Sequence, residues 1–397
     1  MKTSTRELQS KRKILFLISR FLDGGIDTVL TEYLNHLVHI DRYEVTLAIG
    51  MGMGELEVFK DRIPSSIRIV YLVPDGPLTK YPRQRAYHKL AIPKKLADEI
   101  LLNPIRRFMI RHRLRRLATQ YDVLIDFDCC FYTYMQQVPT RKVAWFHFSF
   151  EQSMQQNSRR MKRIADKLRY YDQVVTISKA MCEEGRRLFP WLSEKMVVIY
   201  NAKERQKILQ EAAKIPADTR LEQPFLLAVE RLEESQKDIL TLLKAYKLLR
   251  ETYGHTEKLY LIGKGNSEEQ LRQQAMQLGI GDDVVFLGFI PKPYPWIKAA
   301  RLMVHSAKFE GLPTVLIEGL MLDKIIVASD CPTGPREILN DGKAGLLVPL
   351  GDAAAFAEAI HQALTDDVLR QQLAEGIRAQ QHVFSFEATD ELFTQII

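Results

Sequence analysis

Short apolar runs of strand length alternate with helical patterns along the whole 397-residue chain, and the alternation restarts midway. Residues 13–19 (KILFLIS) begin the first series and run into the turn Asp23-Gly24-Gly25, after which a helical pattern covers residues 28–38. Strand-like runs follow at 44–49, 67–72, 122–127, 142–147, 173–177 and 196–200. After Asn201 a second series places runs at 225–229, 258–262, 284–287, 302–305, 325–328 and 345–348. Helical patterns fall between them at 238–252, 268–278, 314–322 and 352–364. Near-continuous apolar strands separated by helices are what a parallel sheet covered on both faces requires.

The fold class is therefore α/β, with two Rossmann-like domains facing across a cleft. The first domain is placed at residues 1–201 and the second at 202–384. Residues 385–397 are read as a C-terminal helix that crosses back to the first domain.

Charge separates the same two halves. The net charge is +7, but residues 1–200 hold 34 Lys and Arg against 21 Asp and Glu, while residues 201–397 hold 22 against 28. The basic first half suits an anionic partner: a phosphorylated acceptor, a membrane face or nucleic acid. Neither an RNA-binding aromatic motif nor a helix-turn-helix pattern supports nucleic acid.

No window supplies the ~18 consecutive apolar residues of a membrane-spanning helix, and the apolar run at 14–18 is too short for a signal-peptide core. Cys129, Cys130, Cys182 and Cys331 form no CxxC pair, so neither a disulfide framework nor a zinc site is expected. The expected compartment is the reducing cytoplasm, at the inner face of the cell membrane.

The richest chemistry lies in Lys308-Phe-Glu310-Gly-Leu-Pro-Thr-Val-Leu-Ile-Glu318. The strand at 302–305 enters it, and Pro313 suits the first position of a helix, where a missing N–H costs nothing. Backbone amides of Gly311, Leu312, Thr314 and Val315 would then face outward and hold an anion. Two carboxylates beside an anion site fit a ligand with both hydroxyls and phosphate, such as a nucleotide sugar.

The spacing of Glu310 and Glu318, seven residues apart, resembles the EX7E motif of retaining family 4 glycosyltransferases with the GT-B fold. The segments from Val327 to Leu339 and from Asp341 to Val348 are similar to the next segments of that family. The Thr333-Gly334-Pro335 variant resembles bacterial transferases that build lipopolysaccharide, capsule or lipid-linked oligosaccharides. The resemblance implies a first domain that binds an acceptor and a second that binds a nucleotide sugar, UDP-linked, carrying a hexose or N-acetylhexosamine. It implies that Glu310 contacts the transferred sugar and Glu318 the ribose. No cofactor is implied beyond this co-substrate, and no metal.

Arg231 and Lys237 follow the strand at 225–229 and match the Arg and Lys of the family's GRL…K segment, where they stabilise the diphosphate. Glu230 departs from the pattern by standing where the family has Gly, and a carboxylate there would repel phosphate unless turned away. Gly24 and Gly25 permit close backbone approach to a donor. Gly263 and Lys264 form a second such turn, and Phe286 and Phe289 match the region lining the base. His147 ends the strand at 142–147 and matches a His near the reacting sugar.

Asp126 and Asp128 share a strand face; a metal site is disfavoured there, and contact with acceptor hydroxyls is the stronger reading. Two basic stretches, from Arg106 to Arg116 and from Arg159 to Arg169, carry the apolar sets Ile110, Leu114, Leu117 and Met161, Ile164, Ala165, Leu168. They suit either an anionic bilayer or packing on the domain's own sheet. The alternatives to transfer are a nucleotide-sugar epimerase and a catalytically weak glycan-binding relative.

Overall fold

The computed structural model describes residues 11–22 and 24–397. They group into two compact units: the first holds the described residues up to Ile177 with Gly185–Ile199 and Leu392–Ile397, and the second holds Ser178–Glu184 and Tyr200–Glu391.

The first unit is built on seven parallel strands: β1 (Arg12–Ile18), β2 (Tyr43–Met51), β3 (Arg68–Val73), β4 (Val123–Asp126), β5 (Arg141–Phe146), β6 (Gln173–Thr176) and β7 (Met196–Val198). They lie in the order β3-β2-β1-β4-β5-β6-β7. The second unit has six, β8 (Phe225–Val229), β9 (Lys258–Ile262), β10 (Val284–Gly288), β11 (Leu302–His305), β12 (Ile326–Ser329) and β13 (Leu346–Val348). Their order is β10-β9-β8-β11-β12-β13, again all parallel. Each sequence-expected strand is present with its ends within two residues.

Strand order reverses between β1 and β4 in the first sheet, and between β8 and β11 in the second. A crevice opens at the carboxyl ends of the strands at such a point, because the connecting helices leave in opposite directions.

The apolar runs are explained by burial on both faces. Ile14, Leu15, Phe16 and Leu17 of β1 are fully covered. In the second unit Leu226, Ala228, Leu259 and Leu261 pack with Leu242, Tyr246 and Leu249 of helix Ile239–Tyr253 and with Phe356 and Ile360 of helix Ala353–Thr365. Gly254 ends the first of these helices at φ 71°, a left-handed C-cap that glycine adopts without strain.

The last helix, Phe386–Ile396, delivers the chain end to the first unit. There Phe393 lies 6.0 Å from the Tyr33 ring, and the Arg141 guanidinium donates to the Ile396 carbonyl at 3.0 Å.

The expected apolar sets of the two basic stretches are core. Ile110, Leu114 and Leu117, and likewise Met161, Ile164, Ala165 and Leu168, are all buried, so these faces pack within the domain. Even Arg106 is covered; it donates to Asp98 at 2.6 Å and to the Leu78 carbonyl at 2.8 Å.

Candidate active site

The second unit's reversal point gathers four ionisable side chains. Glu230 follows β8, His305 ends β11, Lys237 ends the short helix Glu234–Lys237, and Glu310 lies in the loop after β11. Glu230, Lys237 and His305 are buried, and the Glu310 side chain is 9% exposed. His305 Nδ1 lies 3.3 Å from Glu230 Oε2, and its Nε2 lies 3.3 Å from Glu310 Oε1, neither aligned as a full hydrogen bond. The Lys237 ammonium donates to Glu310 Oε1.

The loops carrying these groups are stitched together. Ser306 Oγ donates to the Lys237 carbonyl at 2.9 Å, and the Lys308 amide donates to the Gln236 carbonyl at 2.7 Å.

Electrostatics assign the charges. Burial opposes ionisation of Glu310, yet Lys237 and His305 hold its pKa down to about 2. Lys237 is disfavoured by burial but raised by Glu310 and Glu230. Burial pushes Glu230 well above the carboxylate range, and burial together with Lys237 lowers His305. The cluster therefore centres on one ion pair, Lys237 with Glu310, while burial favours the uncharged forms of Glu230 and His305. Glu230 is indeed turned inward, so it presents no exposed carboxylate to a phosphate.

Glu310 leads into helix Thr314–Met321. Pro313 is the N-cap of that helix and not its first residue, and no side chain caps the amides behind it. Those first amides have no partner inside the helix, which leaves donors for an anion. The turn at Thr333 and Gly334 braces the approach: Thr333 Oγ donates to the Glu310 carbonyl. A Cβ on Gly334 would stand 2.5 Å from Pro313 Cδ, so glycine is required for this packing.

One turn into the same helix, Glu318 is buried against Lys203, whose ammonium donates to Oε1 at 2.6 Å. Each glutamate of the pair thus has its own lysine.

The Gly263 turn has a structural task. Its φ is 151°, and a Cβ there would lie 1.8 Å from the Glu230 carbonyl oxygen. Glycine lets β9's exit lie against the Glu230–Leu232 backbone, with the Leu232 amide donating to the Lys264 carbonyl at 3.1 Å. Lys264 reaches outward over the exposed Phe289 ring at 4.8 Å, and Arg231 is exposed.

Gly24, Gly25 and His147 belong to the first unit. Gly24 caps helix Gly25–Leu37, which starts earlier than the expected residue 28 because Asp27 accepts from the Leu22 and Gly24 amides. Asp23 lies outside the described residues. His147 is buried beside the Phe127 ring at 4.9 Å, and burial lowers its pKa to about 4.

Asp126 and Asp128 are engaged by their own turn. Asp126 accepts from the Cys130 and Phe131 amides and the Tyr171 hydroxyl, while Asp128 accepts from the Ser19 amide. Together they close a turn in which Cys129 has φ 49°. Among the described residues, no group of three His, Cys, Asp or Glu side chains is placed to hold a metal ion. Beside this turn an open groove of about 550 Å³ is lined by Ser19, Arg20, Arg107, Cys130 and Tyr134, among others.

Residues 210–380 match the family model described as glycosyl transferases group 1. Over this segment, under half of its length, the chain is similar to that family. Over 200 residues it is 30% identical to a Campylobacter jejuni N-acetylgalactosamine-N,N'-diacetylbacillosaminyl-diphospho-undecaprenol 4-alpha-N-acetylgalactosaminyltransferase, covering 50% of this chain and 53% of that one. Over 181 residues it is 32% identical to the lipopolysaccharide core biosynthesis glycosyltransferase LpsE of Rhizobium meliloti, covering 45% and 51%. The chain thus spans about half the length of these curated relatives. The crystal structure of Anabaena HepE in complex with UDP and glucose matches 97% of this chain and 98% of its own, with TM-score 0.74 and 19% identity. The fold is that of the GT-B glycosyltransferases.

In the second unit, sequence reasoning overlooked His305 and Lys203. His305 ends a strand at its carboxyl end, the same signal that singled out His147. Lys203 carries no local signal, because its burial depends on Glu318, far away in sequence.

Proposed function

We propose that the chain is a retaining glycosyltransferase that moves a hexose or N-acetylhexosamine from a UDP-linked sugar to a lipopolysaccharide, capsule or lipid-linked glycan acceptor. The observation that carries this is the pairing of Glu310 with Lys237 directly before an uncapped helix whose next turn holds Glu318 with Lys203. Hydroxyl-binding carboxylates, a cation and free amides stand together, as a nucleotide sugar demands. The diphospho-undecaprenol and lipopolysaccharide core transferases among the relatives support a glycolipid or lipopolysaccharide acceptor, and the HepE complex supports a UDP-linked donor.

In this mechanism the bond from the sugar's anomeric carbon to the diphosphate breaks, and charge grows on the leaving group. Arg231, Lys237 and the amides of Gly311, Leu312 and Thr314 stabilise that charge, with Lys264 as a further phosphate contact. The acceptor oxygen attacks from the leaving-group face and gives its proton to a donor phosphate oxygen, which keeps the configuration. Glu310 positions the sugar and Glu318 the ribose. No metal is required. Arg20 and Arg107 in the first unit's groove suit an anionic acceptor. The protein would work in the cytoplasm, at the membrane's inner face.

The test is a panel of nucleotide sugars scored by thermal stabilisation, followed by product analysis with the stabilising donor. Glu310→Gln and Arg231→Ala are expected to keep the fold and lose transfer. Near-normal turnover in both overturns the mechanism. Donor converted with no acceptor added would make the enzyme an epimerase.

A further inference from the structure

Glu230 departs from the sequence pattern, and the structure gives it a neighbour. It follows β8, and His305 ends β11, the strand paired parallel to β8. The carboxyl ends of the two strands therefore deliver these side chains together. Glu230 is 7% and His305 1% exposed, so each depends on the protein for its hydrogen bonds.

His305 stands between two carboxyl groups. Its Nδ1 lies 3.3 Å from Glu230 Oε2, and its Nε2 lies 3.3 Å from Glu310 Oε1. The Lys237 ammonium donates to the same Glu310 oxygen, which leaves Oε2 for a ligand hydroxyl. Contacts of this length are common in free enzymes and tighten in the complex with substrate.

Counting protons assigns the direction of each contact. A neutral imidazole has one N–H and one bare nitrogen. Glu310, paired with Lys237, is ionised and can only accept, so the N–H belongs on Nε2. The bare Nδ1 then takes a hydrogen bond from the Glu230 acid, whose protonated form burial favours. Were that proton to pass to Nδ1, Nε2 would still donate to Glu310. Glycine, the residue of the resembled family at this position, could do neither.

We propose that Glu230 is a positioning residue that acts through His305 on Glu310. Its carboxyl holds Nδ1, the ring presents the Nε2 proton to Glu310 Oε1, and that oxygen is fixed between His305 and Lys237. The inference rests on the reading that Glu310 orients the transferred sugar. Breaking the link leaves Arg231, the helix amides and Glu318 in place, so donor affinity is retained. What is lost is the alignment of the sugar for transfer, which lowers kcat and leaves the donor's KM nearly unchanged.

The first experiment is nitrogen NMR of the full chain with labelled histidine, read with neither donor nor acceptor present and with His305→Leu assigning the signal. Nε2 of His305 is expected to carry a proton, and Glu230→Leu is expected to move the Nδ1 signal. A bare Nε2, or an Nδ1 signal that Glu230→Leu leaves in place, overturns the proposal. The tautomer is read on the unmodified chain, so it decides the matter even where a leucine variant does not fold. The second experiment is transfer kinetics with the stabilising nucleotide sugar. Glu230→Leu and His305→Leu are each expected to lower kcat by about tenfold to a hundredfold, with donor KM changed by less than about twofold. The double variant is expected to be no slower than either single one, because both break one link. Glu230→Gln, whose amide can donate to Nδ1, is expected to keep about half of kcat or more. Native kcat in Glu230→Leu overturns the proposal, as does a double variant whose loss is the product of the single losses. If no donor is turned over at all, the transfer reading falls, and the tautomer still decides how Glu310 is held.

Discussion

The two reversal points of this molecule are built alike and filled differently. At each, carboxylates stand at the carboxyl end of a parallel sheet. In the first unit these are Asp126, the last residue of β4, and Asp128 just beyond it. Their oxygens accept from the Ser19, Cys130 and Phe131 amides and from the Tyr171 hydroxyl. In the second unit they are Glu230, after β8, and Glu310, after β11, joined by His305 and Lys237. The first set is consumed by its own turn. The second retains a formal cation, a carboxylate and a helix start without a side-chain cap. Burial of acids at a switch point is thus no mark of a site by itself; what distinguishes the second is the buried counter-charge.

Removing one partner separates the two cases most sharply. Lys237→Met leaves the Glu310 carboxylate buried without its cation, and is expected to cost about 3–5 kcal/mol. Asp126→Asn removes no counter-charge and keeps the shape, so about 1 kcal/mol is expected. Chemical denaturation of both variants measures the contrast. Adding Glu310→Gln to Lys237→Met is expected to restore much of the stability and none of the transfer. A Lys237→Met variant as stable as Asp126→Asn would show that the ion pair does not distinguish the two sites.

That contrast was only partly legible in the sequence. The strands were, because parallel strands buried on both faces leave apolar runs that no helix pattern imitates. Glu310 and Glu318 were, through their spacing and the Pro313 that follows the loop. Their partners were not. Lys203 and Lys237 reach their glutamates across 115 and 73 residues, and no local pattern encodes such a meeting. Glu230 was visible as a departure, but its inward turn depends on His305 standing at the end of the adjoining strand. The exposed apolar residues from Ile92 to Phe108 break the ideal helical period at the π-helical turn Asp98–Leu102, whereas the buried set Ile110, Leu114 and Leu117 fits it.

The second contrast is one of pH, and its sign differs between the sites. Lys237 and His305 hold Glu310 at about 2, below its ordinary 4.5. Its contribution is present above the unfolded value and is lost as pH falls from 4.5 toward 2. Burial and the neighbouring Asp128 push Asp126 up to about 8 from 3.8. Its contribution is full below 3.8 and is lost as pH rises toward 8. The stability of the native chain relative to Asp126→Asn should therefore grow from pH 8 down to 4. Relative to Glu310→Gln it should shrink from pH 4.5 down to 2. Neither slope can exceed about 1.4 kcal/mol per pH unit. His147, lowered to about 4 by burial, titrates in both members of each comparison and cancels. Slopes of the same sign would break the contrast.

The smallest expected effect concerns glycine. Gly263 cannot carry a side chain, since a Cβ would stand 1.8 Å from the Glu230 carbonyl oxygen, so the fold alone explains it. At Gly25 a Cβ would meet nothing within 4 Å, and the residue opens a helix. Packing gives no reason for glycine there, and alanine is better in a helix by up to about 1 kcal/mol. Gly25→Ala should leave thermal stability unchanged or slightly raised. If the open space belongs to a donor phosphate, the same substitution should weaken donor binding severalfold, seen as a smaller thermal shift with the stabilising nucleotide sugar. Stability and donor response then move in opposite directions, which a purely structural glycine cannot produce. An unchanged donor response would leave the Gly24-Gly25 turn as a helix start with no part in donor binding.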